Sequence, residues 1–220
     1  MNFFSMKGAW NWRMAFWFDL IVAQHEGALY ENLAEFLESP APGSAILDVG
    51  CGGGQATISV ARRYPSCSVK GVDLSKPQIA RAKKRGRSIS NVSFEIQDAT
   101  AMSLPDESFD IVYSTASVKH WPDPARGVSE MKRVCKKKGT VIVVEVDKET
   151  TRADAKNFVS TWLVLPPFRP LMAEYFRHFV AGQGLTLSEL TAIVKASGLA
   201  NVEGRKIPGQ PLNLAMGKKA

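Results

Sequence analysis

The chain has 220 residues, which suits one domain with a full core. Hydrophobic residues at 45% and charged residues at 22% exclude a disordered or low-complexity chain and fit an ordinary globular one. The net charge of +7 is uneven: residues 1–45 carry a balance of −3, so the rest carries +10.

In chain order, residues 9–24 come first, apolar nearly all round, with Trp10, Trp12, Phe16, Trp17 and Phe18. Such a helix serves as core filler, as a lid over an apolar substrate, or as a membrane-surface segment. Residues 27–38 predict an amphipathic helix, with Leu29, Leu33, Phe36 and Leu37 set against Glu31, Glu35 and Glu38. Ser39-Pro40-Ala41-Pro42-Gly43 breaks it and leads into the apolar run Ala45-Ile46-Leu47.

Asp48-Val49-Gly50-Cys51-Gly52-Gly53-Gly54 follows, ahead of a helical pattern from Gln55 to Tyr64. A strand that turns sharply into a helix leaves the first helical N–H groups facing whatever lies above the sheet. Glycines there let a ligand lie against bare backbone. The pattern is D-x-G-x-G-x-G; a dinucleotide fingerprint would need a third glycine where Gln55 stands. A second strand, Ser68 to Val72, closes on Asp73, about 20 residues past the glycines, the spacing of a ribose-binding carboxylate. Its neighbour Leu74 offers an apolar face to an adenine ring.

Ser75 and Gln78 predict a capping box on the next helix. A third strand, Val92–Ile96, ends in Gln97-Asp98-Ala99, and a fourth, Phe109–Tyr113, ends in Ser114-Thr115. A helix from Pro122-Asp123-Pro124 to about Lys136 precedes a β-branched strand from Thr140 to Val146. Strands alternating with helices imply βαβ units and a parallel sheet, with ligands at the carboxyl ends of the strands. Residues 152–184 hold two helical stretches around Leu165 to Pro170, too long for a connection, and read as an inserted lid. A helix near 187–197, capped by Thr186 and Glu189, and a hairpin of Asn201–Ile207 and Gln210–Met216 close the chain. The basic runs Lys83-Lys84-Arg85-Gly86-Arg87 and Lys136-Lys137-Lys138 read as solvated helix ends rather than a nucleic-acid footprint.

Taken together, Ile46–Gly54, Gly71–Ser75, Gln97–Ala99, Leu104–Asp110 and Gly139–Glu145 resemble a class I S-adenosylmethionine-dependent methyltransferase. The likeness is to the small-molecule group that includes ubiquinone- and menaquinone-type C-methyltransferases, and covers roughly residues 44–147. It implies an α/β, Rossmann-like sheet of seven strands in the order 3-2-1-4-5-7-6, the last antiparallel, with helices on both faces and a helical lid. The implied organisation is a single domain: N-terminal helices over 1–43, a cofactor core over 44–147, a lid over 152–184, and the closing helix and hairpin over 186–220. The resemblance also assigns roles. Asp48 and the backbone of Gly50, Cys51 and Gly52 hold the methionine portion of S-adenosylmethionine, and Asp73 its ribose. Leu74 packs on the adenine, Asp98 and the Ala99 N–H bond its edge, and Ser114 approaches the methionine moiety. Asp98 capping its own turn, and Ser114 serving the fold alone, remain open.

A sulfonium methyl is already a strong electrophile, so the protein mainly aligns a nucleophile and excludes water. His120, in Val118-Lys119-His120-Trp121-Pro122, is the best candidate base or acceptor contact, ahead of His25, His178 and Glu145. Trp121 lines the acceptor pocket or packs under the loop. No metal-ligand cluster stands out, and metal-independent transfer is expected. Trp10, Trp12, Phe16, Trp17, Trp162 and Phe168 would give an aromatic pocket for a small apolar acceptor. The alternatives are an RNA or protein methyltransferase, a nicotinamide oxidoreductase, which the glycine spacing opposes, and a non-catalytic cofactor-binding protein. Cys51, Cys67 and Cys135 lack C-x-x-C spacing, and with no visible export signal or membrane span the expected location is cytoplasmic. A homodimer through the N-terminal helices is permitted but not required.

Overall fold

The computed structural model describes residues 36–37, 39–162 and 164–220. The helices expected over 9–24 and most of 27–38 lie outside the described residues; Phe36 and Leu37 form a turn.

Seven strands form one sheet: β1 Ala45–Val49, β2 Ser68–Asp73, β3 Val92–Ile96, β4 Phe109–Thr115, β5 Cys135–Val146, β6 Ala200–Lys206 and β7 Leu212–Lys218. Their order is β3-β2-β1-β4-β5-β7-β6. β3, β2, β1, β4 and β5 pair in parallel with one another, and β7 runs antiparallel to both β5 and β6. The sheet is the expected class I methyltransferase sheet. Its direction of winding reverses between β1 and β4, which puts the carboxyl ends of those two strands at the switch point.

The central strands are buried on both faces, so they read as continuous apolar runs rather than alternating ones. Alternate residues feed two cores. Ile46, Tyr113, Ile142 and Val144 face α1 (Gln55–Arg63) and α4 (Arg152–Ser160). Leu47, Val112, Val141 and Val143 face α3 (Pro124–Val134) and, beyond it in the chain, α6 (Leu187–Ala196). α2 (Lys76–Gly86) packs Ile79 and Ala82 on Phe94 of β3.

Local chemistry departs from the expected pattern in two places. Ser75 caps α2 by position but makes no side-chain cap, and its own N–H, which a capping box would offer to Gln78, goes to Asp73 Oδ1 at 2.8 Å. The Thr186–Glu189 box on α6 does form. Lys136, Lys137 and Lys138 do not end a helix: α3 stops at Val134 and these residues open β5, where Lys136 pairs with Asp110 at 2.9 Å. Extra strand length here follows from Asp110 and the edge of β4 offering it a partner.

Between β5 and α6, α4 is followed by α5 (Arg169–Tyr175), whose axis continues through a π turn at Phe176–Val180. Ala173 and Phe176 face the core, while Phe168, Leu171, Tyr175 and Phe179 stand exposed along the opposite side. No helix among the described residues is long and apolar enough to cross a membrane.

Candidate functional site

The turn after β1 is drawn against β2, with the N–H groups of Gly50 and Cys51 both donating to the Val72 carbonyl, at 2.8 and 2.9 Å. Gly50 has φ +79°, and a Cβ there would lie 1.9 Å from Ser117 Oγ, so only glycine admits the turn after β4 this closely. A Cβ at Gly52 would meet nothing closer than Gln78 Nε2 at 3.9 Å, which leaves an open side beside the loop. Arg85 steadies the loop from α2 by donating to the Gly53 carbonyl at 2.8 Å.

Two carboxylates end the first two strands. Asp48 is 1% exposed, and accepts from Thr57 Oγ1 of α1 at 2.6 Å. Burial pushes its pKa up to about 7, against the lowering effect of the Thr57 hydroxyl. The Tyr113 hydroxyl faces it without closing a well-formed hydrogen bond. Asp73 accepts from the Gly52 N–H through Oδ2 (2.9 Å) and from Ser75 through Oδ1 (2.8 Å). Burial raises it as well, and those two N–H groups oppose the rise.

Leu74 is 66% exposed beside Asp73, and Ile96 is exposed at the neighbouring strand end. Asp98 Oδ1 receives both the N–H (2.8 Å) and the hydroxyl (2.7 Å) of Thr100, so Asp98 does cap its own turn, with Oδ2 on the other side of the carboxylate. Ala99 is half-buried next to it. At the end of β4 the hydroxyls of Ser114 and Thr115 are buried without a hydrogen-bond partner among the described residues. Orphaned hydroxyls at a strand end are what a bound ligand would satisfy. Cys51 is buried against Gly71, and burial pushes its thiol up, so its contribution is its backbone.

The turn after β4, Val118–His120, carries the candidate base. His120 is half-buried; burial, reinforced by the Lys119 ammonium, lowers it to about 4, so its imidazole is neutral at physiological pH. Trp121 does not line an open pocket. Its ring packs on Gly127, where a Cβ would lie 2.2 Å away, and its Nε1–H donates to Ser117 Oγ at 3.1 Å. Trp162 is likewise a core residue, 5% exposed between Phe158 and Phe176, because its ring completes the packing under α5. Phe168 is exposed, His178 is an exposed neighbour of Glu174, and Trp10, Trp12, Phe16, Trp17 and His25 lie outside the described residues. Asp110 sits at the amino edge, accepting from the Ala45 N–H at 2.8 Å, away from this cluster.

Sequence reasoning missed Thr57, Ser117 and the pairing of Glu145 with Lys119. Thr57 was findable as the third residue of the helix that starts at the glycine loop. Ser117 and Lys119 carry no local signal.

The cluster fits S-adenosylmethionine. Two acids suit its ammonium and ribose diol, Leu74 and Ile96 its ring, and an open glycine edge its close approach.

Residues 47–143 match the family described as a methyltransferase domain. The chain is 35% identical over 122 residues to 2-methyl-6-phytyl-1,4-hydroquinone methyltransferase of Synechocystis sp., covering 56% of this chain and 38% of that protein. It is 29% identical over 174 residues to demethylmenaquinone methyltransferase of Bacillus licheniformis, covering 76% of this chain and 75% of that one. The chain thus spans well under half the length of the first of these relatives. A solved Methanococcus maripaludis structure, described as an S-adenosyl-L-methionine-dependent methyltransferase, superposes with a TM-score of 0.74 at 19% identity, covering 97% of this chain and 95% of that one. At that identity the likeness speaks for the fold. With the sheet order, it gives the chain the class I methyltransferase fold, within which residues 47–143 match a methyltransferase domain.

Proposed function

We propose that the chain transfers the methyl group of S-adenosylmethionine to a small, largely apolar or aromatic acceptor by in-line displacement. The observation that carries this reading is the meeting, at one strand edge, of the cofactor-type cradle with the His120 turn: Ser117 of that turn touches Gly50 of the loop. Both relatives named above act, by name, on quinone-type rings, which supports a ring acceptor.

The cofactor supplies a methyl electrophile. Asp73 would accept from the ribose hydroxyls with the lone pairs its two N–H partners leave. Asp48 would face the ammonium of the methionine portion, and an opposite charge there would favour its ionised form. Asp98 Oδ2 and the Ala99 N–H would hold the adenine edge, with Leu74 on its face. Ser114 would turn its hydroxyl to the methionine portion. His120, neutral and half-buried, would accept a hydrogen bond from a hydroxyl on the acceptor ring. Its low basicity suits it to orient that hydroxyl, and to take only a readily lost proton.

Two cations of the basic runs are used within the fold. Arg85 is spent on the Gly53 carbonyl and Lys136 on Asp110, both within the fold. The test is methyl transfer from labelled S-adenosylmethionine to 1,4-hydroquinones and naphthohydroquinones, with bulk tRNA, rRNA and protein in parallel. Transfer to the ring compounds is expected; preferential labelling of RNA or protein would overturn the acceptor assignment.

A further inference from the structure

At the carboxyl end of β5, Glu145 is 0% exposed, and its partner Lys119 has a side chain only 5% exposed. The carboxylate is fully engaged. Oε1 takes the Lys119 ammonium and the Val146 N–H, each at 2.7 Å, and Oε2 takes the Lys119 backbone N–H at 3.0 Å. The same ammonium donates to the Ala116 carbonyl at 3.2 Å. Ala116 holds φ at +51°, left-handed backbone that a residue with a Cβ adopts only under constraint. One residue on comes Ser117 against Gly50, and one residue past Lys119 comes His120.

A buried ion pair is an expensive way to hold a fold, because desolvating both charges offsets much of their attraction, and packed apolar residues of the same volume serve stability as well or better. Here the pair spans the sheet's ligand edge and grips the turn at three points: the Ala116 carbonyl, the Lys119 N–H and the Lys119 side chain.

We propose that the Lys119–Glu145 pair is a positioning device for the turn that bears His120. The role for the acceptor rests on the reading of His120 above; the geometry of the pair does not. Among the described residues, the charged groups facing His120 are Lys119 on its own turn and Glu145 on β5. The ammonium disfavours imidazolium and the carboxylate favours it, so the intact pair leaves a balance that burial then dominates. Glu145 is therefore a positioning residue rather than a proton carrier, since all its bonds are already made within the protein.

The test uses the full chain labelled at histidine Cε1, with His120→Asn to assign the His120 signal, and follows its titration by NMR. Lys119→Met leaves the Glu145 charge beside His120, and its midpoint should rise by about one pH unit or more. Glu145→Gln leaves the ammonium, and the imidazole should stay neutral down to lower pH than in the parent chain. The double variant Lys119→Met, Glu145→Gln removes both charges without stranding either, so it covers the case in which a single variant fails to fold; its midpoint should fall between those of the singles and close to the parent. A pair whose charges do not reach the imidazole would move neither midpoint, or both in the same direction through a shared change in burial. That result, or a double variant whose midpoint lies outside the range of the singles, would overturn the proposal. Opposite midpoint shifts combined with full methyl transfer by His120→Asn would uphold the pair and remove His120 from the reaction.

Discussion

The backbone N–H of Gly52 and the carboxylate of Asp73 are joined by a hydrogen bond of 2.9 Å that ties the turn after β1 to the end of β2. The group expected to hold the ribose therefore also shapes the loop expected to hold the methionine portion. Asp73→Ala removes both functions together, and the lost charge-assisted bonds are worth about 1.5–3 kcal/mol. Affinity for S-adenosylmethionine, measured by calorimetry, is expected to fall roughly ten- to hundredfold. Unchanged affinity would refute the ribose assignment.

Asp48 gives a pH dependence whose direction is fixed. Burial raises it from its ordinary 3.8 to about 7, so the folded chain keeps a proton that the unfolded chain releases. Its contribution to stability is present below about pH 4 and is lost as pH rises through about 7. Asp48→Asn should then raise the thermal midpoint of the cofactor-free chain at alkaline pH while weakening S-adenosylmethionine binding. In the parent chain, binding that requires the ionised carboxylate should weaken towards about tenfold per pH unit below about 7, and this slope should vanish in Asp48→Asn. A slope that survives the substitution would assign the titration to another group.

Gly50 bears on the fit between the two halves of the site. Alanine there is strained at φ +79° and places its methyl inside the Ser117 side chain. Gly50→Ala alone should abolish cofactor binding or displace the turn after β4. Adding Ser117→Gly removes the clash but leaves the strain, and should restore part of the binding. No recovery in the double variant would mean that backbone strain alone accounts for the loss.

The sheet was legible because buried parallel strands are apolar runs with abrupt polar ends, as at Asp48 and Ser114, while Asp73 and Asp98 close shorter strands that mix apolar and polar residues. The same residues, read by type and spacing, sketched the cofactor cradle. What did not show was anything set by contacts distant in sequence. Ser75 and Gln78 have the spacing of a capping box, but Asp73 intercepts the Ser75 N–H. Lys136 looks like a helix end until Asp110, 26 residues earlier, draws it into β5. Trp162 has the chemistry of a pocket wall, and only its neighbours Phe158 and Phe176 make it core. Lys119 and Glu145 stand 26 positions apart with no periodicity linking them, so their pairing belongs to the register of β4 and β5 alone.

The exposed face of α5 gives the last prediction. Five of the seven large apolar side chains most exposed among the described residues, Leu165, Phe168, Leu171, Tyr175 and Phe179, lie on this one segment; the other two, Leu74 and Ile96, stand at the expected adenine site. Phe168, Leu171, Tyr175 and Phe179 recur at helical spacing on the side away from Ala173 and Phe176, so their exposure follows from one helix side rather than from scatter. A segment that helps gather an apolar acceptor would use this face. Phe168→Glu with Leu171→Glu should leave the thermal midpoint and S-adenosylmethionine affinity within error, because neither side chain is in the core. The same pair should raise KM for an apolar hydroquinone several-fold with little change in kcat, since it weakens capture and not the reacting geometry. An unchanged KM would detach α5 from the acceptor, whereas parallel losses of stability and cofactor affinity would show that the face is part of the fold.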